Sequence, residues 1–501
     1  MPAALLDHKH RVFLVCVIGI FITVFDTSSS IVALPTIAHE FDTDLPTAQW
    51  VVIGNGLTIA ALLVPMGRLS DQLGRKRIYV VGALIFALGA LVASFAGSIY
   101  HLIGARVIVG IGSAMTQGTA MAIIVGSFET RERAKMLGMQ LGFVGLGQIA
   151  GPATGGVVVG TAGWRTLFAI TAIGMLLVSV ASQRILRRRA KRPRADGPTF
   201  DYFGAVFFST FLVGLLLTLT LGPSLGWLTP GTIGGGLAAA LALGVFVAME
   251  RRARAPILDL GLFKIGQFGL GALAAVVTFM GISATRFLVP FFLQGVKGYS
   301  PGRVGLVIVP AALVTAVAAP FAGRLADRWG VRLFANIGMG VTALGFATFM
   351  WLDTATPVGI VIGGLMIMSL GMSLFGAANS ASMLNVVDAA AHGVTAGFVN
   401  LCRNSGNVIG IALGTVIVTV TMSRAGYPPS LAAVDPTAAP GVLIAFTRGV
   451  DAAAASLAGI AAAALVVLIV WSWRVRALSP ATFADLATPR SETGARSPDR
   501  T

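Results

Sequence analysis

Four ionisable side chains lie inside long apolar runs of this sequence: Asp26, Arg106, Arg286 and Arg403. A charged group in such a run is costly to remove from water and usually has a function. Desolvation raises the pKa of a carboxyl group, and a neighbouring guanidinium lowers it again. A carboxylate that gains and loses an arginine partner can therefore bind and release a proton. We predict that Asp26, Arg106 and Arg286 form such a proton-coupling cluster.

Two of these residues have a second interpretation. Asp26 could belong to a static buried ion pair that only stabilises the fold. Arg286 could extend its guanidinium to the outer lipid headgroups. If Arg286 instead faces a cavity, it could bind an anionic group of a solute.

A polar face near the end of the chain has a spacing of three and four residues, which places its members on one side of a helix. This face could line a substrate cavity, or it could hold helices together by hydrogen bonds. We predict a substrate cavity formed by Asn55, Gln117, Asn400, Arg403, Asn404 and Asn407. Weaker candidates for the same roles are Gln140, Gln148 and Asn379.

The elements that position these residues are membrane helices. The chain is 56% hydrophobic and 11% charged, with a mean hydropathy of +0.86, whereas soluble domains carry about 25% charged residues. About 20 apolar residues cross the hydrocarbon layer as a helix. The apolar runs predict fourteen such helices, at residues 12–34, 47–66, 78–97, 101–126, 139–160, 166–183, 203–221, 231–249, 267–293, 302–322, 333–352, 357–385, 394–423 and 448–473.

The first run, at 12–34, is too long for the apolar region of a cleavable signal peptide, so we expect it to remain as a helix. With the N-terminus in the cytosol, 28 of the 36 Lys and Arg residues lie in cytosolic segments, as the positive-inside rule requires. The basic run at 184–194 is then expected to anchor the topology on a linker; the alternative is a lipid-headgroup or regulatory role. The formal charge of +16 therefore does not indicate a nucleic-acid partner.

An internal repeat divides the chain. Residues 67–77 read GRLSDQLGRKR and residues 323–332 read GRLADRWGVR, with five matches in the first ten positions. Both segments are predicted to be cytosolic loops that follow the second helix of a six-helix unit. Repeated bundles with a site between them are common in secondary transporters. The predicted domains are a six-helix bundle at 1–183, a linker at 184–202, two inserted helices at 203–249, a linker at 250–266, a second bundle at 267–473 and a disordered cytosolic tail at 474–501.

These segments resemble the major facilitator superfamily and, within it, the fourteen-helix drug:proton antiporter branch, over roughly residues 12–473. Residues 67–77 match the family's motif G-x-L-x-D-x-x-G-R-K, and residues 147–156, GQIAGPATGG, match its antiporter motif G-x-x-x-G-P-x-x-G-G. Residues 26–35, DTSSSIVALP, are similar to D-x-T-x-x-N-x-A-L-P, with Ile31 in place of Asn. Residues 102–114 are similar to a further motif, with Val109 in place of Gln.

The resemblance implies an all-α integral membrane fold with two six-helix bundles in pseudo-two-fold symmetry and two inserted helices. It also implies a cytosolic latch, in which Asp71 and Asp327 meet the positive N-terminal ends of helices in the opposite bundle. The latch residues are Gly67, Asp71, Gly74, Arg75 and Asp327. The antiporter motif, which implies export, comprises Gly147, Gly151, Pro152, Gly155 and Gly156.

No nucleotide, metal or disulfide chemistry is expected. The sequence has no G-x-x-x-x-G-K-[ST] loop, its five His residues lack metal-ligand spacing, and Cys16 and Cys402 fall in apolar runs. We therefore predict no enzyme activity and no cofactor.

The predicted function is that of a monomeric, proton-coupled antiporter in the cell membrane that exports amphipathic or hydrophobic small molecules. A second hypothesis is an exporter of a single metabolite, such as an antibiotic, a lipid or a siderophore. Asn55 stands where the family frequently has Tyr. The departures at Ile31, Asn55 and Val109 favour that narrower specificity. A third hypothesis is an uptake symporter, against which the antiporter motif argues. From a different class of protein, a membrane sensor or an intramembrane enzyme is the remaining alternative, and the repeated cytosolic segments argue against it.

Overall fold

The protein is described by a computed structural model. It describes residues 7–128, 130–186, 202–226, 229–251, 261–262, 265–387, 392–427, 434 and 439–477. These residues form helices α1 (His8–Glu40), α2 (Leu45–Ala48), α3 (Trp50–Leu73), α4 (Arg75–Ser94), α5 (Ile99–Ser127), α6 (Thr130–Ala162), α7 (Trp164–Ile185), α8 (Tyr202–Leu225), α9 (Pro230–Glu250), α10 (Gly266–Phe291), α11 (Pro301–Trp329), α12 (Val331–Ala347), α13 (Val358–Leu384), α14 (His392–Arg424) and α15 (Pro440–Ala477). A π-helical turn, Phe292–Val296, continues α10.

The predicted fourteen membrane helices correspond to all of these except the four-residue α2. In the described part of the chain, twelve helices are long and apolar enough to cross a membrane. Two shorter apolar stretches, Phe203–Leu219 in α8 and Val331–Ala347 in α12, complete the set. The all-helical membrane fold is therefore confirmed.

The two repeated segments, predicted to be loops, are instead helical over most of their length. α3 continues to Leu73 and α11 continues to Trp329, so residues 67–73 and 323–329 lie in the last turns of helices, and residues 75–77 and 331–332 begin the next helices. A single glycine then reverses the chain in each half: Gly74 has φ 102° and ψ 123°, and Gly330 has φ 104° and ψ 127°. These φ values suit glycine because it lacks a Cβ. The sequence repeat therefore encodes the same two-helix turn twice.

The two halves of the chain also pack alike. In the first half, α1 packs on α6, α3 and α4 pack on α5, and α4 packs on α7. The second half repeats these pairs: α10 packs on α14, α11 and α12 pack on α13, and α12 packs on α15. Helices α10 to α15 thus correspond in order to α1 and α3 to α7. The close helix crossings repeat as well, since Gly112 lies against the backbone of Phe86 and Gly371 lies against that of Thr342. This correspondence is the pseudo-two-fold symmetry of the fold.

The halves meet through α6 against α11 and α14 against α3, which are equivalent contacts under the same symmetry. The inserted helices α8 and α9 pack on each other, and α8 also contacts α3 and α14. They therefore stand beside one of the two seams between the halves. The predicted linkers and the tail lie largely outside the described residues, as does most of the basic run at 184–194.

Candidate functional site

A central cavity of about 210 Å³ lies between the two halves, bounded by α1, α3, α5 and α6 on one side and α10, α11, α13 and α14 on the other. All six residues of the predicted substrate cavity line it, and Arg286 lines it too. Its walls are otherwise largely apolar, with hydroxyl groups from both halves. An apolar cavity with a few convergent polar groups is the usual form of a small-molecule site.

Asp26 and Arg106 form a separate buried ion pair within the first half. The Nη1 atom of Arg106, on α5, donates to the Oδ2 atom of Asp26, on α1, at 2.6 Å, and the side chains are 0% and 1% exposed. Thr171, on α7, donates to the other carboxylate oxygen at 3.2 Å, and the Nε atom of Arg106 donates to the Val51 carbonyl at 3.2 Å. These bonds partly compensate for the loss of water around both charges.

Helix α1 links this pair to the cavity. Thr23 and Thr27 line the cavity, whereas Asp26, between them in sequence, does not. Since α1 extends to Glu40, Asp26 lies fourteen residues before its end, or about 21 Å at 1.5 Å per residue. This distance from the helix end is longer than in the predicted span, which ends at residue 34, because the helix continues past Pro35. A rigid movement of α1 would displace the ion pair and the cavity wall together.

Arg286 lies apart from the ion pair. Its described hydrogen bonds run from Nη1 to the Gln148 Oε1 atom at 3.2 Å and from Nη2 to the Met372 sulfur at 3.7 Å. The structure thus brings together two members of the predicted three-residue cluster, Asp26 and Arg106. It places the third member, Arg286, on the cavity wall, where its side chain reaches from α10 to Gln148 on α6.

Arg403 extends from the polar face of α14. Its guanidinium carbon lies 4.9 Å from the centre of the Phe279 ring, and its Nη1 atom donates to the Asn400 Oδ1 atom at 3.4 Å. Asn404 donates to the Asn400 carbonyl at 3.0 Å. Both arginines therefore have neutral partners.

The glycines of the antiporter motif lie at close helix contacts. A Cβ added at Gly147, Gly151 or Gly155 would face α1. The Ser28 hydroxyl of α1 donates to the Val24 carbonyl of its own helix at 2.7 Å and also lies 3.1 Å from the Gly147 carbonyl. Gly156 faces the other half, because a Cβ there would collide with the Pro301 carbonyl oxygen of α11. The motif therefore allows α6 to approach α1 within its own half and α11 across the seam.

A second contact across the seam joins α1 to the π-helical turn. Gln294 donates from Nε2 to the Val32 carbonyl at 3.1 Å, and Thr36 donates to the Gln294 Oε1 atom at 3.4 Å. In the predicted orientation, this contact and that of Gly156 both lie towards the outer ends of the helices. The halves are therefore packed together on that side of the cavity.

The predicted latch is described only in part. Asp71 and Asp327 lie in the last turns of α3 and α11, and their side chains are outside the described residues. Gly67 packs against the backbone of Gly118, and the Arg75 Nη1 atom donates to the Ala122 carbonyl at 2.6 Å. Both contacts join α3 or α4 to α5 within one half.

Two residues that bond the charged groups, Thr171 and Gln148, were missed or given only as weak candidates in the sequence analysis. Thr171 was not predicted, because a single threonine in an apolar helix commonly bonds its own backbone. Its one hydroxyl proton is shared between the Phe168 carbonyl at 3.1 Å and Asp26 at 3.2 Å. Gln148 was only a weak candidate, although it lies one residue after the first glycine of the antiporter motif. Its nearness to that motif was the available signal.

Residues 16–411 match the family model described as Major Facilitator Superfamily. The multidrug resistance protein Stp of Mycobacterium tuberculosis is 30% identical over 406 residues, which cover 80% of this chain and 74% of that protein. The riboflavin transporter RibZ of Clostridioides difficile is 28% identical over 414 residues, covering 82% and 87% respectively. Among solved structures, a bacterial homologue of the human lysosomal transporter Spinster, in an inward-facing and unoccupied conformation, has a TM-score of 0.67 at 15% identity and covers 93% of this chain and 97% of its own.

Proposed function

This chain belongs to the Major Facilitator Superfamily and is a multi-pass membrane transporter, and we propose that it is a proton-coupled antiporter exporting amphipathic or hydrophobic small molecules. In this proposal it acts as a monomer in the cell membrane, with both termini in the cytosol. The observation that carries the proposal is the buried Asp26–Arg106 pair on the helix that also lines the cavity.

Asp26 is the proposed proton site. While Arg106 holds the carboxylate at 2.6 Å, the pair is charge-balanced and needs no proton. If α1 moves relative to α5, the carboxylate loses its partner in a medium of low dielectric, where its neutral form is favoured. Proton uptake and release would then follow the movement of α1. Because Thr23 and Thr27 carry the same movement to the cavity, solute binding and protonation become coupled.

Alternating access is the proposed transport cycle. The two bundles, 1–183 and 267–473, enclose the cavity from opposite sides and would rock about it. To open the outer side, the contacts of Gly156 with α11 and of Gln294 with α1 must separate. When the outer side is open, Asp71 and Asp327 would latch the cytosolic side by meeting the N-terminal ends of helices in the opposite bundle.

The direction of transport rests on the antiporter motif of α6 and on the relative Stp, whose name states multidrug resistance. The relative named as a riboflavin transporter favours a second candidate, a transporter dedicated to one metabolite. A broad solute panel separates these two, since the second candidate would move one member of the panel or none.

Inside-out vesicles test the proposal, because their cytosolic face is accessible from the medium. With an imposed pH gradient, acidic inside, an exporter accumulates solutes from a panel of anionic, neutral and cationic aromatic compounds. We expect accumulation that disappears when a protonophore collapses the gradient. Accumulation only in right-side-out vesicles would indicate an importer, and accumulation unaffected by the protonophore would contradict proton coupling.

A further inference from the structure

The central cavity has an unbalanced charge. Arg286 and Arg403 both line it, and among the described lining residues there is no aspartate or glutamate. The Arg403 guanidinium carbon lies 4.9 Å from the centre of the Phe279 ring, and Phe279 lies about two helical turns before Arg286 on α10. A cavity with two cations and no carboxylate is suited to an anionic occupant.

The partners of the two arginines leave this charge in place. Arg286 is held by the Gln148 amide oxygen at 3.2 Å, and Arg403 by the Asn400 amide oxygen at 3.4 Å. Both contacts orient a guanidinium without neutralising it. Each Arg has five N–H donors in a planar fork, so donors remain for a ligand.

The buried carboxylate of the same half does not balance these charges. Asp26 accepts a hydrogen bond from Arg106 at 2.6 Å and another from Thr171 at 3.2 Å, and it is absent from the cavity wall. The Asp26–Arg106 pair is neutral as a unit. The two cavity arginines therefore have no protein counter-charge among their described contacts.

Charges removed from water are costly unless they are paired. An anion that enters the cavity supplies the missing pairing, whereas a cation adds a third like charge. The rest of the wall favours an apolar body, since Ile31, Ile59 and Ile282 line it together with Phe279. We infer that the solute is an amphipathic organic anion, with its carboxylate, sulfonate or phosphate between Arg286 and Arg403 and its apolar part against these walls.

This inference names the substrate class of the proposed transport site, and it rests on the proposed function only for the outward direction of movement. Binding can therefore be tested apart from export. Three naphthalene compounds share one ring system and differ in charge: naphthalene-2-sulfonate, naphthalene-2-sulfonamide and 2-naphthyltrimethylammonium. Their binding to the purified full-length protein is measured by isothermal titration calorimetry.

The expected order of affinity is the anion, then the neutral sulfonamide, then the cation. The sulfonate should bind about tenfold or more tightly than the cation, because one charge-assisted hydrogen bond changes the affinity by about tenfold or more. R286M and R403M should each lose about tenfold in sulfonate affinity, and the double variant should lose the preference for the anion. R286K and R403K keep the charge and should retain most of that preference. R303Q removes an exposed arginine outside the cavity and serves as the matched control.

Folding is monitored by thermal unfolding in detergent, where the double variant should melt no lower than the wild type, because it removes two half-buried cations that have no protein counter-charge among their described contacts. Equal or tighter binding of the cation by the wild type would overturn the inference. Wild-type sulfonate affinity in a well-folded double variant would overturn it as well.

Transport of the same compounds in inside-out vesicles separates this inference from the proposed function. If the sulfonate binds with the expected selectivity but no member of the set accumulates, the anion inference stands and the export proposal fails. If the cation accumulates and the sulfonate does not bind, export stands and the anion inference fails.

Discussion

Replacing Asp26 by asparagine tests whether this carboxylate carries the transported proton or only holds the fold together. The asparagine side chain is nearly isosteric and would still offer an oxygen to Arg106, but it has no charge. Arg106, 0% exposed, would then be a buried cation without a counter-ion. The loss of one partner from a buried pair costs about 3–5 kcal/mol of stability. We therefore expect D26N to melt at a lower temperature in detergent and to lose export driven by a pH gradient.

A second variant separates the two effects. D26N/R106Q removes both charges, so no buried cation is left without a counter-ion, and the two amides have complementary hydrogen-bonding groups. The double variant should recover the melting temperature that D26N loses. It should not recover proton-driven export, because no titratable group replaces Asp26.

The assay is accumulation in inside-out vesicles under an imposed pH gradient, normalised to the folded protein measured by size-exclusion chromatography. Asp42 provides a matched control: it is an exposed aspartate just beyond the end of α1, with φ 45°. Asparagine tolerates this backbone conformation, so D42N should leave both stability and export unchanged. Wild-type export by D26N/R106Q would refute the role of Asp26 in proton coupling and leave it a structural ion pair.

Two further predictions concern glycines. G156A should lower the transport rate, because the added Cβ would collide with the Pro301 carbonyl oxygen where α6 meets α11. G160A is the control and should transport normally, because its Cβ would lie 3.9 Å from its nearest neighbour in the other half. Equal transport rates for G156A and G160A in the vesicle assay would contradict the role of this contact. G330A should melt at a lower temperature than the wild type, because a φ of 104° strains an L-residue by about 1–3 kcal/mol. G323A is the control: it lies in a helix with no atom within 4 Å of its added Cβ, and it should gain about 0.5–1 kcal/mol of stability from the lower entropy of the unfolded chain. A melting temperature of G330A equal to that of the wild type would contradict the requirement for glycine at this turn.

The membrane helices were predictable because about 20 apolar residues in sequence leave few alternatives to a spanning helix. Their ends were not. Residues 67–73 and 323–329 are polar and were predicted to be loops, yet both are helical. A single glycine at positive φ is sufficient to reverse the chain, so the turn needs almost no residues of its own. Hydropathy detects polar residues, and it does not distinguish a loop from the last turn of a helix that leaves the membrane.

The cavity was predictable in part, because the spacing of polar residues along one helix indicates which of them share a face. Helical spacing places Asn400, Arg403, Asn404 and Asn407 on one face, and all four line the cavity. The relation between Arg286 and Asp26 was not predictable, because depth along a helix says nothing about rotation around its axis. Their positions inside apolar runs led us to predict one cluster, whereas in the structure Arg286 lines the cavity and Asp26 does not.

The central claim, that solute movement outward drives or is driven by protons moving inward, can be measured most directly in proteoliposomes that hold the purified protein and an internal pH indicator. A solute gradient imposed without any initial pH difference should drive a proton flux opposite in direction to the solute flux. The D26N/R106Q protein should give no such flux. Solute movement by the wild type with no proton flux, or with protons moving in the same direction, would contradict the claim.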